Sequence, residues 1–479
     1  MNSKLTLIVS VALAVAPLSA GNLKPGTPFT NNMVLQRNAE VPVWGIADPG
    51  ATISLTPSWT DSVFTCTASN EGRWRVAVPT GFDRNTHTLK ISDGTDSLTL
   101  GNILLGEVWL LGGQSNMSMP MEGYTHQPVE DATDEILRSA KRTIRFANVP
   151  PLAAYRTLDF ADGVKWEEAS PATTGKCSAV GWFFASLLNE VLDVPVGILN
   201  VSFSGSNLES WLSPEACKEL PGLKVPPVSD ETSPWIGNVA TMLYNGMLHP
   251  VEGFGIRGML FYQGESNIFD VPAYAPMLKT AVADWRRKWG HEFPFYITQI
   301  APYDYSEWNF FTPQWPEISA YMREAQLKCS HEIPNSALAV TLDSGTDYII
   351  HPPMKRAPGE RLAHIALARD YGISGFEAFS PEYESMEVKD GKAILHFSNV
   401  HNGLTSYGKP LTLFEISGDN KVFVKADAHI DESNGTVVVS SRLVSEPKAV
   451  RYAFRNYVEA ELFGTGGHPV SSFRTDTWE

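Results

Sequence analysis

The spacing of apolar positions changes twice along the chain. From residue 21 to 104 the apolar runs are brief: Val41-Pro-Val-Trp44, Ile53-Ser-Leu55, Arg75-Val-Ala-Val78, Thr88-Leu-Lys-Ile91 and Leu98-Thr-Leu100. Gly, Pro, Asp and Asn separate them at intervals of about ten residues, the rhythm of a β-sandwich. From 105 to 372, strand and helix alternate. Val108–Leu111, Val196–Leu199, Gly258–Tyr262, Phe295–Thr298 and Leu338–Leu342 read as buried strands. Trp182–Leu192, Thr241–Leu248, Met277–Trp289 and Ile318–Lys328 read as helices, and a last helix opens at Pro358 with Leu362, Ile365, Ala366 and Arg369 on one face. Such alternation predicts an α/β fold, a parallel sheet covered by helices on both faces. From 373 to 479 the strand rhythm returns in Ala393–Phe397, Phe423–Lys425, Thr436–Ser440 and Val450–Phe454, predicting a second β-rich domain.

Met1–Ala20 has Lys4, then an uncharged apolar run over Leu5–Ala16, then small residues at Ser19 and Ala20. This is the pattern of a secretory signal peptide. A run of that length is too short to cross a hydrocarbon core of ~30 Å. The expectation is an exported protein, periplasmic or secreted, without membrane insertion after signal cleavage. The predicted division is therefore 1–20 signal, 21–104 N-terminal β domain, 105–372 α/β domain and 373–479 C-terminal β domain.

The 479 residues carry 37 basic and 53 acidic side chains, a net charge of −16. Phosphate backbones repel such a chain, so nucleic acid is not an expected partner. Cys66, Cys177, Cys217 and Cys329 are far apart and have no zinc-ligand spacing, so no metal is expected.

In an open parallel sheet, ligands bind beyond the carboxyl ends of the strands. Polar, glycine-containing segments follow the predicted strands there: Gly112-Gly-Gln-Ser-Asn-Met117, Asn200-Val-Ser-Phe-Ser-Gly205, Gln263-Gly-Glu-Ser-Asn267, and Asp343–Asp347 with His351-Pro352. Ser115 is the candidate nucleophile. A serine hydroxyl needs a base to take its proton, and His351 is the candidate base. The Ser115 amide, the Gly205 amide and the Asn267 side chain are candidate oxyanion donors. The turn is not a GxSxG elbow, since Met117 replaces the second glycine. His249 ends a short helix rather than a strand and is read as structural.

Together Gly-Gln-Ser-Asn, the central Gly205, Gln-Gly-Glu-Ser-Asn and the late His-Pro resemble the SGNH hydrolase superfamily, and more closely the sialate O-acetylesterase family. Asn32-Met-Val-Leu-Gln36, Val43-Trp-Gly45, Gly72-Arg-Trp74, Arg323-Glu-Ala-Gln326, Lys355, Arg361-Leu-Ala363, Ala449-Val-Arg-Tyr452 and Ser472-Phe-Arg474 extend the resemblance over nearly the whole mature chain. The resemblance implies a flavodoxin-like sheet and a cofactor-free serine esterase that removes O-acetyl groups from a carbohydrate substrate. It puts the nucleophile on Ser115, the base on His351 and the oxyanion donors on Ser115, Gly205 and Asn267.

One position departs from the superfamily: Tyr348 stands three residues before the histidine, where an Asp is common. Asp347 is the preferred orienting carboxylate, with Asp343, Glu265 or a backbone carbonyl as rivals. Gln114 and Glu265 are candidate supporting residues. Trp211 and Glu209 are candidate rim contacts, although Trp211 is equally suited to packing beneath the loop. Arg323 is expected to pair with a structural acid. Alternatives to sialate deacetylation are an acetylesterase for xylan or xyloglucan, a glycoside hydrolase, and a non-catalytic carbohydrate-binding protein.

Overall fold

The structure is a computed structural model and describes residues 22–305 and 316–478; the predicted signal segment lies outside them. At its centre is a mixed sheet. Its strands are β1 (Ser97–Gly113), β2 (Ile144–Asn148), β3 (Trp166–Glu168), β4 (Val196–Asn200), β5 (Gly258–Tyr262), β6 (Phe295–Thr298) and β7 (Ser336–Ala339). They lie in the order β3-β2-β4-β1-β5-β6-β7, all parallel except β3, which is antiparallel to β2.

Side-chain alternation along these strands explains why both faces are covered. Val108, Leu110, Leu199, Met259, Phe261, Phe295 and Ile297 join one apolar cluster, and Trp109, Leu111, Ile198, Leu260, Tyr262 and Tyr296 join another. Helices α1 (Ala179–Leu192) and α4 (Arg356–Arg369) supply Trp182, Phe184, Leu362 and Ile365 to the second cluster. Helices α2 (Val271–Trp289) and α3 (Ile318–Glu332) supply Leu278, Val282, Trp285 and Met322 to the first. Helix α2 starts six residues before the apolar pattern suggests. Pro272 fits the first turn, where an amide hydrogen has no intrahelical partner, and the helix continues through Pro276. The predicted helix at 241–248 contracts to a single wide turn, Tyr244–Leu248.

The N-terminal region is β-rich, with Glu40–Ile46 paired to Arg73–Pro79 and Thr52–Pro57 paired to His87–Ser92. It is not separated from the central sheet at residue 104. The predicted strands 98–100 and 108–111 are one strand, β1, whose first half pairs with His87–Ser92 and whose second half is the sheet's centre. The Asn32–Gln36 motif welds this junction. Gln36 Nε2 donates to buried Glu107 at 3.0 Å, Arg37 Nε donates to the same carboxylate at 2.6 Å, and Gln36 Oε1 accepts the Val108 amide.

The C-terminal region holds two four-stranded sheets, one built on Glu382–Lys389 and Lys392–Ser398, the other on Phe414–Ser417 and Ala449–Tyr452. Arg323 of α3 docks it. The expected acid is replaced by the Ser472 hydroxyl at 2.9 Å, the Ser319 hydroxyl at 3.1 Å and the Arg455 carbonyl at 2.5 Å. A fully buried guanidinium has five donors to satisfy; Ser319 of its own helix takes one, and Ser472 and the carbonyls of Ala453, Arg455 and Asn456 in the C-terminal region take the others. All four cysteines are unpaired. No helix among the described residues is long and apolar enough to cross a membrane.

Candidate active site

The sheet order reverses at β1, since β4 lies on one side of it and β5 on the other. In doubly wound sheets the crevice at such a switch point is where ligands bind, and Ser115 stands at the carboxyl end of β1. The turn that carries it needs glycine at 113: φ is +126° there, and a Cβ would collide with the Tyr262 carbonyl of β5. Gln114 then ties the turn to the next loop, its Oε1 accepting the amides of Gly264 at 3.3 Å and Ser266 at 3.2 Å. Gln114 is therefore a brace rather than a reacting group. Ser115 opens a one-turn helix, Ser115–Ser118, so its amide has no intrahelical acceptor.

His351 Nε2 lies 2.7 Å from Ser115 Oγ. Its other nitrogen, Nδ1, lies 2.6 Å from Gln127 Oε1. An amide oxygen only accepts, so Nδ1 carries the proton and the Nε2 lone pair faces the serine hydroxyl. Gln127 comes from a tight turn in which Tyr124 and Gln127 exchange backbone bonds at 3.0 and 2.9 Å. The same turn presses the Tyr124 ring edge-on to the imidazole, with centroids 5.3 Å apart, and sends the Tyr124 hydroxyl to the Ser115 carbonyl at 3.0 Å. Burial, and then the nearby Lys355 charge, lower the His351 pKa to about 4. The imidazole is thus neutral at ordinary pH.

Asp347 does not meet His351. It is exposed, and its charge is felt at Tyr457 instead. The loop that carries it turns back on itself through Thr346 and Ile349, so four residues of sequence separation do not bring the carboxylate behind the ring. Asp343 is committed to Arg361 of α4 by two bonds of 2.6 Å. Glu265 lies under the Ser115 turn. Its Oε1 accepts Asn116 Nδ2 at 2.5 Å, and Asn116 Oδ1 accepts Lys355 Nζ at 2.6 Å. Asn116 Nδ2 also reaches the Ile350 carbonyl at 3.1 Å, linking the Ser115 turn to the residue before His351. Burial lowers the Lys355 pKa to about 7 and raises that of Glu265, each charge opposing the shift of the other.

Gly205 is exposed with φ +73°, a left-handed conformation that favours glycine. Asn267 is buried. Its Oδ1 accepts from Leu208 N at 2.9 Å and Gln263 Nε2 at 2.6 Å, and one Nδ2 hydrogen goes to Glu209 at 2.9 Å. Glu209 therefore holds Asn267 rather than forming the rim. Trp211 is 1% exposed, with Nε1 bonded to Ser206 Oγ at 3.0 Å; it packs beneath the loop. His249 pairs with Glu252 at 3.1 Å, a structural contact. Among the described residues, no group of three His, Cys, Asp or Glu side chains is arranged to hold a metal ion.

Gln127 and Tyr124 were missed by reading the sequence. Neither follows a strand, and a glutamine in a surface turn carries no titratable signal.

The family model for a carbohydrate esterase, sialic acid-specific acetylesterase, matches residues 105–367. The human sialate O-acetylesterase is 27% identical over 424 residues, covering 81% of this chain and 79% of that protein. The rat sialate O-acetylesterase is 25% identical over 498 residues, covering 89% and 88%. A crystal structure of a carbohydrate acetylesterase from Xanthomonas citri superposes with a TM-score of 0.84 at 30% identity, over 95% of this chain and all of that one. With Ser115 and His351 inside the matched segment, the chain belongs to the carbohydrate esterase family of sialic acid-specific acetylesterases.

Proposed function

We propose that this carbohydrate acetylesterase acts by double displacement on a Ser115–His351 pair, within an SGNH-type sheet, and that its substrate is an O-acetylated sialic acid. The observation that carries the chemistry is the 2.7 Å contact between His351 Nε2 and Ser115 Oγ, with Nδ1 occupied by Gln127. Ser115 Oγ attacks the acetyl carbonyl carbon as His351 takes its proton. The negative oxygen of the tetrahedral intermediate is received by the Ser115 and Gly205 amides and the second Nδ2 hydrogen of Asn267; losing one such donor typically costs ~2.7–4 kcal/mol of transition-state stabilisation. Collapse expels the sugar oxygen, which takes the proton from His351 and leaves acetyl-Ser115. Water then attacks the acetyl carbon as His351 takes a proton from it; the bond from that carbon to Ser115 Oγ breaks, Oγ takes the proton back from His351, and acetate departs with serine and neutral imidazole restored.

Gln127 differs from the Asp of a triad in one respect. It fixes the tautomer and the ring orientation but adds no negative charge to stabilise the imidazolium. The Met1–Ala20 pattern supports action outside the cytoplasm. Acetate release from a panel of O-acetylated sialic acids and acetylated plant glycans tests the substrate, and Ser115→Ala tests the chemistry. The expected results are a preference for sialates and loss of all release in the variant. Equal rates across the panel would contradict the sialate assignment, and near-normal turnover by Ser115→Ala would contradict the nucleophile.

A further inference from the structure

Trp235 is the only exposed tryptophan among the described residues, at 86% exposure. Its segment is anchored on both sides at the carboxyl end of the sheet. Thr232–Ser233 pairs antiparallel with Ala153–Ala154, which follow β2. The Asn207 amide donates to the Gly237 carbonyl at 2.9 Å, and the Thr241 amide donates to the Glu209 carbonyl at 3.0 Å.

At Gly237 the backbone presses on the Gly205 loop so closely that a Cβ would lie 2.7 Å from the Phe203 ring and 3.3 Å from Ser206 Cα. Ser204 in that loop touches Tyr124 at 3.2 Å, and Tyr124 in turn bonds the Ser115 carbonyl. Trp235 is two residues from Ser233 and two from Gly237, so its Cα lies within about 7 Å of each. The Ser233 hydroxyl accepts the Trp235 amide at 3.2 Å, and the next residue, Ile236, packs on the core. The backbone at Trp235 is thus held from both sides beside the site while the indole is left in water.

We propose that Trp235 is a stacking platform for a pyranose ring of the acetylated glycan, on the sugar next to the one whose acetyl group lies at Ser115. The apolar C–H face of a pyranoside matches the indole face, and an aromatic side chain offers that area at little conformational cost. The proposal rests on the reading of Ser115 and His351 as the reacting pair, and it gives the rim role expected of Trp211 to a different tryptophan.

The test compares Trp235→Ala and Trp235→Phe on an acetylated oligosaccharide and on p-nitrophenyl acetate. The ratio of kcat/KM for the oligosaccharide to that for the small ester should fall about 3- to 10-fold in Trp235→Ala, through KM, the size of one aromatic contact. Trp235→Phe should recover most of it. An unchanged ratio would overturn the platform, as would equal losses on both substrates. Turnover of p-nitrophenyl acetate by Ser115→Ala reports separately on the reacting pair, since its persistence would contradict that pair whatever Trp235 does.

Discussion

Above the Ser115 turn, His351 sits between neutral groups, the serine hydroxyl and the Gln127 amide. Below the turn, Asn116 sits between ionisable ones, Lys355 and Glu265, both almost wholly buried. The two layers meet at Ile350, whose carbonyl accepts from Asn116 one residue before His351. The difference separates two tasks that an orienting aspartate would combine. Gln127 sets the tautomer and direction of the imidazole, while the charge that acts on it comes from beneath, from Lys355.

Removing the upper support should have the larger effect on rate. Gln127→Ala frees the ring and the tautomer, and kcat/KM should fall about 10- to 100-fold, less than the ~10⁴ associated with an orienting aspartate, because no charge is lost. Gln127→Glu should retain orientation and place a carboxylate against Nδ1. The His351 pKa then rises, and the acidic limb of the kcat/KM profile moves to higher pH.

Removing the lower charge should show in pH dependence and stability. The Lys355 cation lowers the His351 pKa, so Lys355→Met raises it. The base is then protonated at a higher pH, and the acidic limb, expected near the His351 value of about 4, should shift upward. The variant also strips the donor from buried Asn116 Oδ1, which should cost about 1–3 kcal/mol in chemical denaturation. An unmoved limb would reduce Lys355 to a packing role. Smallest of all, Asp347→Asn should leave kcat/KM within about twofold, because exposed charges away from the reacting groups contribute little. A large loss there would restore the carboxylate triad and contradict the division between the layers.

Much of this site was legible in the chain because strand ends are legible. The runs at Val108–Leu111, Val196–Leu199 and Gly258–Tyr262 are short and apolar, and polar, glycine-containing segments follow them, so Ser115, Gly205 and Asn267 stand out as candidates by position. His351 follows the last strand in the same way. What was hidden depends on how loops fold back. Gln127 reaches His351 across 224 positions of sequence through an irregular turn, and no periodicity marks it. Asp347, close in sequence, points elsewhere.

The tryptophans make the same point. Trp211 and Trp235 are alike as letters, yet one is clamped under the loop by Ser206 and the other is held out in water by anchors on either side. The start of α2 was obscured by Pro272 and Pro276, residues that oppose helices in general but are accommodated in this one. The strand Ser97–Gly113 looks like two in the sequence, since its apolar runs at 98–100 and 108–111 serve different partners, the N-terminal strands and the central sheet.

The most direct test is to quench the enzyme during turnover of an acetyl ester and map the acetyl group by mass spectrometry. Acetylation confined to the peptide carrying Ser115, and absent from Ser115→Ala, is the predicted result. An acetyl group on another residue, or continued turnover by Ser115→Ala with no adduct, would contradict the account.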